Sequence, residues 1–191
     1  MSITFHSPSV DDAALLLKWR TDPEISRNMF TDLEHSDLSV QKKWIKSVLI
    51  RKDYVPFIIH DEGKPVGFLS FNDIDYKNKK CSSGSYIYCK KARLKLAVTL
   101  HSYICSFAFY CLGMNKIVNL ILDVNENVIK IQQLHNAQFV GILREHIYKN
   151  GEFYDVHIFE QLRSTWEERK QRFEVSHMRE AFKGWNDRWM K

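Results

Sequence analysis

The feature that most constrains the fold of this chain is a hairpin signal near residue 150. Two apolar, strand-like runs, Phe139–Lys149 and Glu152–Gln161, are joined by Asn150-Gly151. Asn-Gly is the strongest short hairpin signal, because both central residues of a tight primed turn need positive φ. The sequence therefore predicts two long antiparallel strands in the last third of the chain.

Earlier signals predict alternating strands and helices. Ser9 can cap a first helix, Asp22-Pro23 stops that helix, and Ser36-Asp37 starts a second helix. Periodicity and turn residues predict the remaining elements. Strands are expected over Ile3–Phe5, Tyr54–His60, Val66–Phe71, Gly84–Tyr88 and Lys116–Leu122, and helices over Arg93–Cys111 and Asn127–Asn136. This order indicates an α/β sandwich.

Composition narrows the class of protein. With 191 residues, 45% of them hydrophobic, the chain is expected to form one domain with a proper core. No apolar run approaches the ~20 residues of a membrane span and no signal-peptide pattern is present, so we expect a cytoplasmic protein. The net charge of +5 fits an anionic ligand. The four cysteines lack metal-ligand spacing and are expected to be buried free thiols.

The hairpin sequence is more specific than its turn. The run from Leu143 to Ile158 closely resembles the terminal hairpin of the GNAT N-acetyltransferases that acetylate nucleotide-linked 4-amino sugars in the pseudaminic acid (flagellin glycosylation) pathway. The resemblance covers nearly the whole chain up to about Trp166. It implies the GNAT fold over residues 1–163, a mixed, mostly antiparallel central sheet with helices on both faces. A helical C-terminal extension is expected over residues 164–191.

The resemblance also implies a reaction. The enzyme would acetylate the 4-amino group of a UDP-linked 4-amino-4,6-dideoxy sugar by direct attack of the amine on the thioester of acetyl-CoA, without a metal. It implies a nucleotide-sugar substrate, no membrane or nucleic-acid partner, and a possible homodimer. The alternative enzyme is a protein N-terminal acetyltransferase of the ribosomal-protein type. The alternative from another class is a degenerate GNAT that serves as a non-catalytic binding module.

The junction after the strand that ends at Tyr88 is the expected cofactor site. Relatives carry Gln/Arg-x-x-Gly-x-Gly/Ala there, whereas this chain has the glycine-free run Lys90–Ala97. Unpaired N–H groups at a helix start favour phosphates, and side-chain charge would supplement them. The alternative is a solvated basic loop that binds coenzyme A poorly. The resemblance implies the following cofactor-binding residues: Ile87, Tyr88, Lys90, Lys91, Arg93, Lys95, Asn125 and Asn127.

The resemblance places catalytic groups on the same strand, after the short helix and in the hairpin. His135 stands where relatives have tyrosine and would protonate the departing thiolate, unless it is an ordinary helix-surface histidine. Backbone N–H groups of Ile87 and Tyr88 would face the thioester oxygen. Ser85 would lie near the acceptor amine. Glu145 is a candidate base, and attack by a neutral amine through water is the alternative.

The acceptor side is expected around Arg20 and the loop that carries Met29-Phe30. In the sugar-nucleotide enzymes a matching stretch offers an arginine and an aromatic ring to the nucleotide. The forked guanidinium suits diphosphate oxygens, and Phe30 would stack on uracil or pack on the sugar methyl group. Tyr86 and His146 complete the expected set. The alternative is simple packing of a mobile loop.

The segment from Ser164 onward permits two interpretations. Trp166, Phe173, Phe182, Trp185 and Trp189 alternate with arginines and lysines, as in proteins that bind single-stranded nucleic acid. An amphipathic helix that docks on the body or on a second subunit is the more common use of such a segment.

Overall fold

The computed structural model describes residues 3–33, 37–168 and 175–183. The chain divides into two compact units, and each of them is discontinuous in sequence. The first unit comprises Met1–Pro8, Val48–Val118 and Gln161–Lys191, and the second comprises Ser9–Ser47 and Asn119–Glu160. The predicted boundary at residue 163 stays a prediction, although the first unit includes residues on both sides of it.

The order of strands and helices follows the sequence-based expectation closely. The strands are β1 (Ile3–His6), β2 (Val55–Asp61), β3 (Lys64–Asp75), β4 (Lys80–Ile87), β5 (Lys116–Leu122), β6 (Gln138–Lys149), β7 (Glu152–Leu162) and β8 (Phe182–Lys183). The helices are α1 (Ala13–Arg20), α2 (Pro23–Ser26), α3 (Leu38–Leu49), α4 (Lys90–Ser106), α5 (Glu126–Leu134), α6 (Arg163–Glu167) and α7 (Val175–Ala181). A 3₁₀ turn over Val10–Asp12 precedes α1, and a π-helix over Phe107–Cys111 continues α4.

The first unit contains a mixed sheet in the order β4-β3-β2-β1-β8. Strands β1 to β4 pair antiparallel in sequence, whereas β8 lies parallel to β1. The turn between β2 and β3 is Glu62-Gly63, with φ of 52° and 79°. Both residues therefore have the positive φ of a primed hairpin turn. Strand β5 starts beside β4 and ends in the second unit.

The C-terminal residues complete the core of the first unit. Trp166 is fully buried, and Phe182 is stacked at 4.1 Å between ring centroids on both Phe5 and Phe107. The expected docking on the body is therefore correct for the described part of the segment, and these two rings cannot stack on nucleic-acid bases. Phe173, Trp185 and Trp189 lie outside the described residues.

The second unit carries the predicted hairpin, with strand order β6-β7-β5. Asn150 and Gly151 have φ of 54° and 84°, and Lys149 pairs with Glu152 across the turn. The primed turn predicted from Asn-Gly is thereby confirmed. A small apolar cluster packs α5 against this sheet: Ile121, Ala137 and Phe159, with Val128 and Ile129 packed against them.

Several boundaries differ from the sequence prediction. Asp22-Pro23 ends α1 but also begins α2, because Asp22 accepts a hydrogen bond from the Glu24 N–H and proline suits the first helical position. Strand β4 starts at Lys80 rather than Gly84. The expected helix start at Ser36 falls outside the described residues. The C-terminal extension is not purely helical, since β8 pairs with β1.

Among the described residues, no single helix is long and apolar enough to cross a bilayer. The stretches Lys90–Ala97 and Thr99–Cys111 reach that length only together, across a bend of 62°.

Replacing Phe182 tests the role of the C-terminal residues in the core. Its side chain is 2% exposed and contacts four aromatic rings. We expect Phe182→Ala to lower the free energy of unfolding by about 3–5 kcal/mol, measured by urea titration, because it leaves a cavity. Phe153→Ala is the control, since Phe153 is 62% exposed and should cost below about 1 kcal/mol. Equal, small effects would contradict a core role.

Candidate active site

Strand β4 separates from one of its two neighbours. It pairs with β5 only at Lys80 and Cys81, opposite Lys116 and Ile117. Beyond Cys81, its pairs in the described part of the chain are with β3 alone, as far as Ile87. Among the described residues of the first unit, one edge of the second half of β4 therefore has no strand partner, as expected for a strand that offers N–H groups to a bound thioester.

A close backbone approach fixes the end of β4. Gly67 of β3 pairs with Ile87, and a Cβ atom on Gly67 would collide with the carbonyl oxygen of Tyr86. The carbonyl of Val66, the residue before Gly67 in β3, accepts hydrogen bonds from the N–H groups of Tyr88 (2.8 Å) and Cys89 (3.1 Å). The Tyr88 N–H is therefore donated within the junction. It is not free to face a thioester oxygen, which is the role that the resemblance implied for it.

Arg93 braces the same junction from the helix side. Its Nε donates to the carbonyl oxygen of Ile87 at 2.8 Å, and Nη2 lies 3.5 Å from that of Tyr88. A guanidinium bound to two consecutive carbonyls holds the chain where it leaves the sheet and enters α4. Sequence reasoning assigned this charge to the cofactor and could not see the internal contact.

The basic run forms the first two turns of α4 and is not a loop. The helix begins at Lys90, Cys89 occupies the N-cap position without a side-chain capping bond, and the first turn holds no acidic residue. Lys95 is paired with Asp61 at 2.5 Å, whereas Lys90 and Lys91 are exposed. An uncapped helix start with two exposed lysines suits the phosphates of coenzyme A.

In the second unit, both expected asparagines lie at the start of α5. Asn125 is the N-cap residue, but its side chain makes no capping hydrogen bond, and Asn127 is exposed in the first turn. The capping alternative therefore does not account for the side-chain amide of Asn125. Both residues remain predicted cofactor contacts.

The end of α5 determines the environment of His135. Asn136 adopts a left-handed conformation with φ of 50°, and the N–H groups of Ala137 and Asn136 donate to the carbonyls of Gln132 and Gln133, each at 2.9 Å. This is a Schellman motif with asparagine at the left-handed position. His135, just before it, is 2% exposed, so the helix-surface alternative is wrong. Its role as general acid stays a prediction.

The hairpin contains a bulge at the residues expected to face the acceptor. Register is lost between Leu143 and Ile147, and Glu145 has a φ of 50°. Its N–H donates to Asp155 Oδ1 at 2.8 Å, which stabilises the left-handed backbone. Bulges redirect side chains and are common beside active sites. Glu145 and His146 are both exposed on this bulge.

The loop after α2 is ordered by its contacts. Arg20 Nη2 donates to the carbonyl of Thr31 at 3.0 Å, whereas Arg20 Nη1 is buried and has no hydrogen-bond partner among the described residues. Met29 and Phe30 are half-buried. Sequence reasoning missed Lys149, whose buried ammonium group binds this loop. In the sequence, Lys149 is recognisable only as a polar residue beside the hairpin turn. Its two carbonyl partners, Ser26 and Met29, lie about 120 positions earlier in the chain.

The predicted site residues thus fall into two groups. Those in the first unit surround the β4–α4 junction: Ser85, Tyr86, Ile87, Tyr88, Lys90, Lys91, Arg93 and Lys95. Ser85 is exposed, and Tyr86 stacks on Phe68 with ring centroids 5.7 Å apart. Those in the second unit lie on α1, the acceptor loop (Ser26–Asp32), α5 and the hairpin: Arg20, Met29, Phe30, Asn125, Asn127, His135, Glu145 and His146.

The cysteines are free thiols, and three of the four are buried, as predicted. Burial raises the pKa of the Cys81 thiol to about 12 and that of Cys111 to about 11. Cys89, at the N-cap of α4, is half-buried. No cluster of three or more histidine, cysteine or acidic side chains suited to a metal occurs among the described residues.

A strand that separates from its neighbour and leads into an uncapped, basic helix start can offer N–H donors to an oxyanion and positive charge to phosphate groups. The model of the acetyltransferase (GNAT) domain family matches residues 6–158. The chain therefore belongs to the GNAT acetyltransferase family. It has the GNAT fold and is an acetyl-CoA-dependent N-acetyltransferase.

Individual relatives agree with this assignment. An uncharacterized N-acetyltransferase, p20, of Bacillus licheniformis is 23% identical over 86% of this chain and 94% of its own length. The spermidine N-acetyltransferase of Vibrio cholerae, solved with CoA and spermine, superposes with a TM-score of 0.80 at 17% identity, over 87% of this chain and 98% of that one. A probable acetyltransferase superposes with a TM-score of 0.77 at 19% identity, over 86% and 95% of the two chains.

Gly67→Ala tests the close approach at the end of β4. The new methyl group would displace the Tyr86 carbonyl, so we expect the free energy of unfolding to fall by about 1–3 kcal/mol and acetyl-CoA binding to weaken. Gly141→Ala is a matched control, because a Cβ there meets no atom within 4 Å. A Gly67→Ala protein with the stability and cofactor affinity of the control would contradict this account.

Proposed function

We propose that this enzyme acetylates the 4-amino group of a UDP-linked 4-amino-4,6-dideoxy sugar, in the pathway that supplies pseudaminic acid for flagellin glycosylation. The hairpin sequence from Leu143 to Ile158 motivates this choice, and the observation that carries it is the unsatisfied Nη1 of Arg20. A buried cationic donor without an acceptor is costly. An anionic oxygen of a nucleotide diphosphate would satisfy that donor once the neighbouring groups that cover Nη1 move aside on binding.

The chain's own residues suggest how the reaction proceeds. Acetyl-CoA supplies an activated acetyl thioester, which the acceptor amine attacks directly. Lys90 and Lys91 bind phosphate groups at the start of α4, supported by Arg93 and Lys95, while Ile87 and Tyr88 line the cofactor path. Asn125 and Asn127 offer amides to the pantetheine arm.

Proton transfers complete the proposal. Buried His135 protonates the thiolate, since imidazole can donate a proton near neutral pH. Ser85 orients the acceptor amine, and Glu145 on the hairpin bulge accepts its proton. Phe30 and Met29 pack on the nucleotide or sugar, with Tyr86 and His146 as further contacts.

Two other acceptors deserve comparison. The similar structure from Vibrio cholerae is a spermidine N-acetyltransferase, so a polyamine is one alternative. A protein N-terminus, as in ribosomal-protein acetyltransferases, is the other. The net charge of +5 favours an anionic sugar nucleotide over a polycation, because like charges repel at long range. Membership in an enzyme family also weighs against a non-catalytic module.

The proposal includes a cytoplasmic location, where nucleotide sugars are made, and a homodimer. Strand β6 is the edge of the sheet in the described part of the chain, and it exposes Phe139, Val140 and Ile142. An exposed apolar edge strand is a common site of pairing between chains. A second copy could add its own β6 there.

Acceptor choice is the direct test of the substrate. We expect the purified enzyme to acetylate at least one stereoisomer of a UDP-linked 4-amino-4,6-dideoxy sugar and to leave spermidine and a free peptide unmodified, as followed by mass spectrometry. Arg20→Met should raise KM for the sugar at least tenfold, or about 1.4 kcal/mol. Arg51→Met, on an exposed pair with Asp53, should not change it. Faster acetylation of spermidine or peptide than of the sugar would contradict the proposal.

Alkylation of Cys89 locates the cofactor. Since Cys89 is less buried than the other three cysteines, iodoacetamide should modify it first. Saturating acetyl-CoA, which has no free thiol to consume iodoacetamide, should slow this reaction at least tenfold, and the double variant Lys90→Ala, Lys91→Ala should lose most of that protection. Lys42→Ala, Lys43→Ala, another adjacent exposed pair, should retain it. Equal alkylation rates with and without acetyl-CoA would place the cofactor elsewhere.

A further inference from the structure

We propose that Lys149 is a positioning residue that holds the acceptor loop, defined as Ser26–Asp32, in its binding conformation. The inference rests on the proposed function in one respect, because that proposal places Met29 and Phe30 against the acceptor. Its structural part stands on contacts within the second unit alone.

Among the described residues, the ammonium group of Lys149 contacts three oxygens, and all of them lie in the acceptor loop. Nζ donates to the carbonyl oxygen of Ser26 at 2.6 Å and to that of Met29 at 3.0 Å. It also forms an ion pair with Asp32, 3.0 Å from Oδ1. Two of the three N–H donors of the ammonium are therefore hydrogen-bonded to the loop backbone, and its charge is paired with a carboxylate.

Burial makes this arrangement strongly selective for one loop conformation. The Lys149 side chain is 6% exposed, whereas that of Asp32 is 43% exposed. A buried cation is tolerated only when it is paired and hydrogen-bonded. Any movement of the loop that separates Ser26 or Met29 from Nζ would remove a hydrogen bond from a buried charge. The loop is therefore expected to be ordered before substrate binds.

A second cation holds the same loop. Arg20, at the end of α1, donates to the carbonyl of Thr31 at 3.0 Å. The carbonyls of residues 26, 29 and 31 are thus bound by two cationic side chains from different elements. Along the chain, Met29 and Phe30 lie between Ser26 and Thr31, whose carbonyls are bound by Lys149 and Arg20 respectively. The placement of the Met29 and Phe30 side chains therefore depends on both cations.

The hairpin turn explains why Lys149 reaches this position. Lys149 is the last residue of β6, and its pairing with Glu152 closes the Asn150-Gly151 turn. Because that turn fixes the backbone of Lys149, the hairpin that carries the family resemblance also supports the acceptor loop. The hairpin tip therefore contributes to acceptor binding indirectly: it positions Lys149, which holds the acceptor loop, and does not itself contact the acceptor.

A positioning role has a specific kinetic signature. If the loop loses its preformed conformation, the acceptor must order it on binding, so KM for the acceptor rises while the chemical step is preserved. The affinity for acetyl-CoA should stay constant. A purely structural role would instead reduce stability and all kinetic constants together.

The test compares Lys149→Met with Lys130→Met. Lys130 forms a matched but exposed lysine–carboxylate pair with Glu126 at 3.1 Å. We expect Lys149→Met to raise KM for the UDP-4-amino sugar at least tenfold, with kcat and the acetyl-CoA dissociation constant within twofold of wild type. Amide hydrogen exchange in peptides that span residues 26–33 should accelerate at least tenfold. Lys130→Met should change neither.

A milder variant covers the case in which Lys149→Met does not fold. Asp32→Asn removes the ionic partner at the exposed end and leaves both backbone contacts of Lys149 in place. It should accelerate exchange in the same peptides and raise KM by a smaller factor, about threefold. Unchanged exchange in every folded variant would overturn the proposal.

The two proposals fail in different ways. If the wild-type enzyme does not acetylate the sugar, the proposed substrate is wrong, but hydrogen exchange still reports whether Lys149 holds the loop. If the sugar is acetylated and Lys149→Met leaves both KM and exchange unchanged, the substrate stands and the positioning role is overturned.

Discussion

The guanidinium of Arg93 binds the carbonyls at the end of β4, and the β4–α4 junction, where we propose that the cofactor binds, depends on this contact. Strand β4 has lost β5 as a neighbour by this point, so ordinary sheet pairing secures only one of its edges. Gly67 lets β3 approach closely, and Val66 accepts two N–H groups from the junction. Together these contacts position the start of α4 without the glycines that relatives use there.

Cations bound to backbone carbonyls recur in both units. Arg93 holds the β4–α4 junction, while Arg20 and Lys149 hold the acceptor loop. In each case a charged side chain binds backbone carbonyls of an irregular segment, where the hydrogen bonds of helices and sheets do not hold the backbone. The positive charge of the chain is therefore partly structural, and only part of it is available to an anionic ligand. Lys90 and Lys91 are exposed residues that fit the second use.

Local signals predicted the fold well. The Asn150-Gly151 turn and the Ser9 cap form as their residue types require, because both depend on neighbouring positions only. Predictions that needed distant contacts were less complete. The pairing of β8 with β1, the burial of His135 and the partners of Lys149 all arise from segments far apart in sequence. A residue type alone cannot distinguish a lysine that binds a ligand from one that binds its own backbone.

Binding of acetyl-CoA at the glycine-free start of α4 is the step on which the proposed reaction depends. Calorimetric titration of the wild-type protein with acetyl-CoA measures this binding. We predict one site per chain with a dissociation constant in the micromolar range, which corresponds to about −8 kcal/mol. No measurable heat of binding at millimolar acetyl-CoA, with the protein shown to be folded, would overturn the proposed cofactor site and favour a GNAT fold retained as a non-catalytic module.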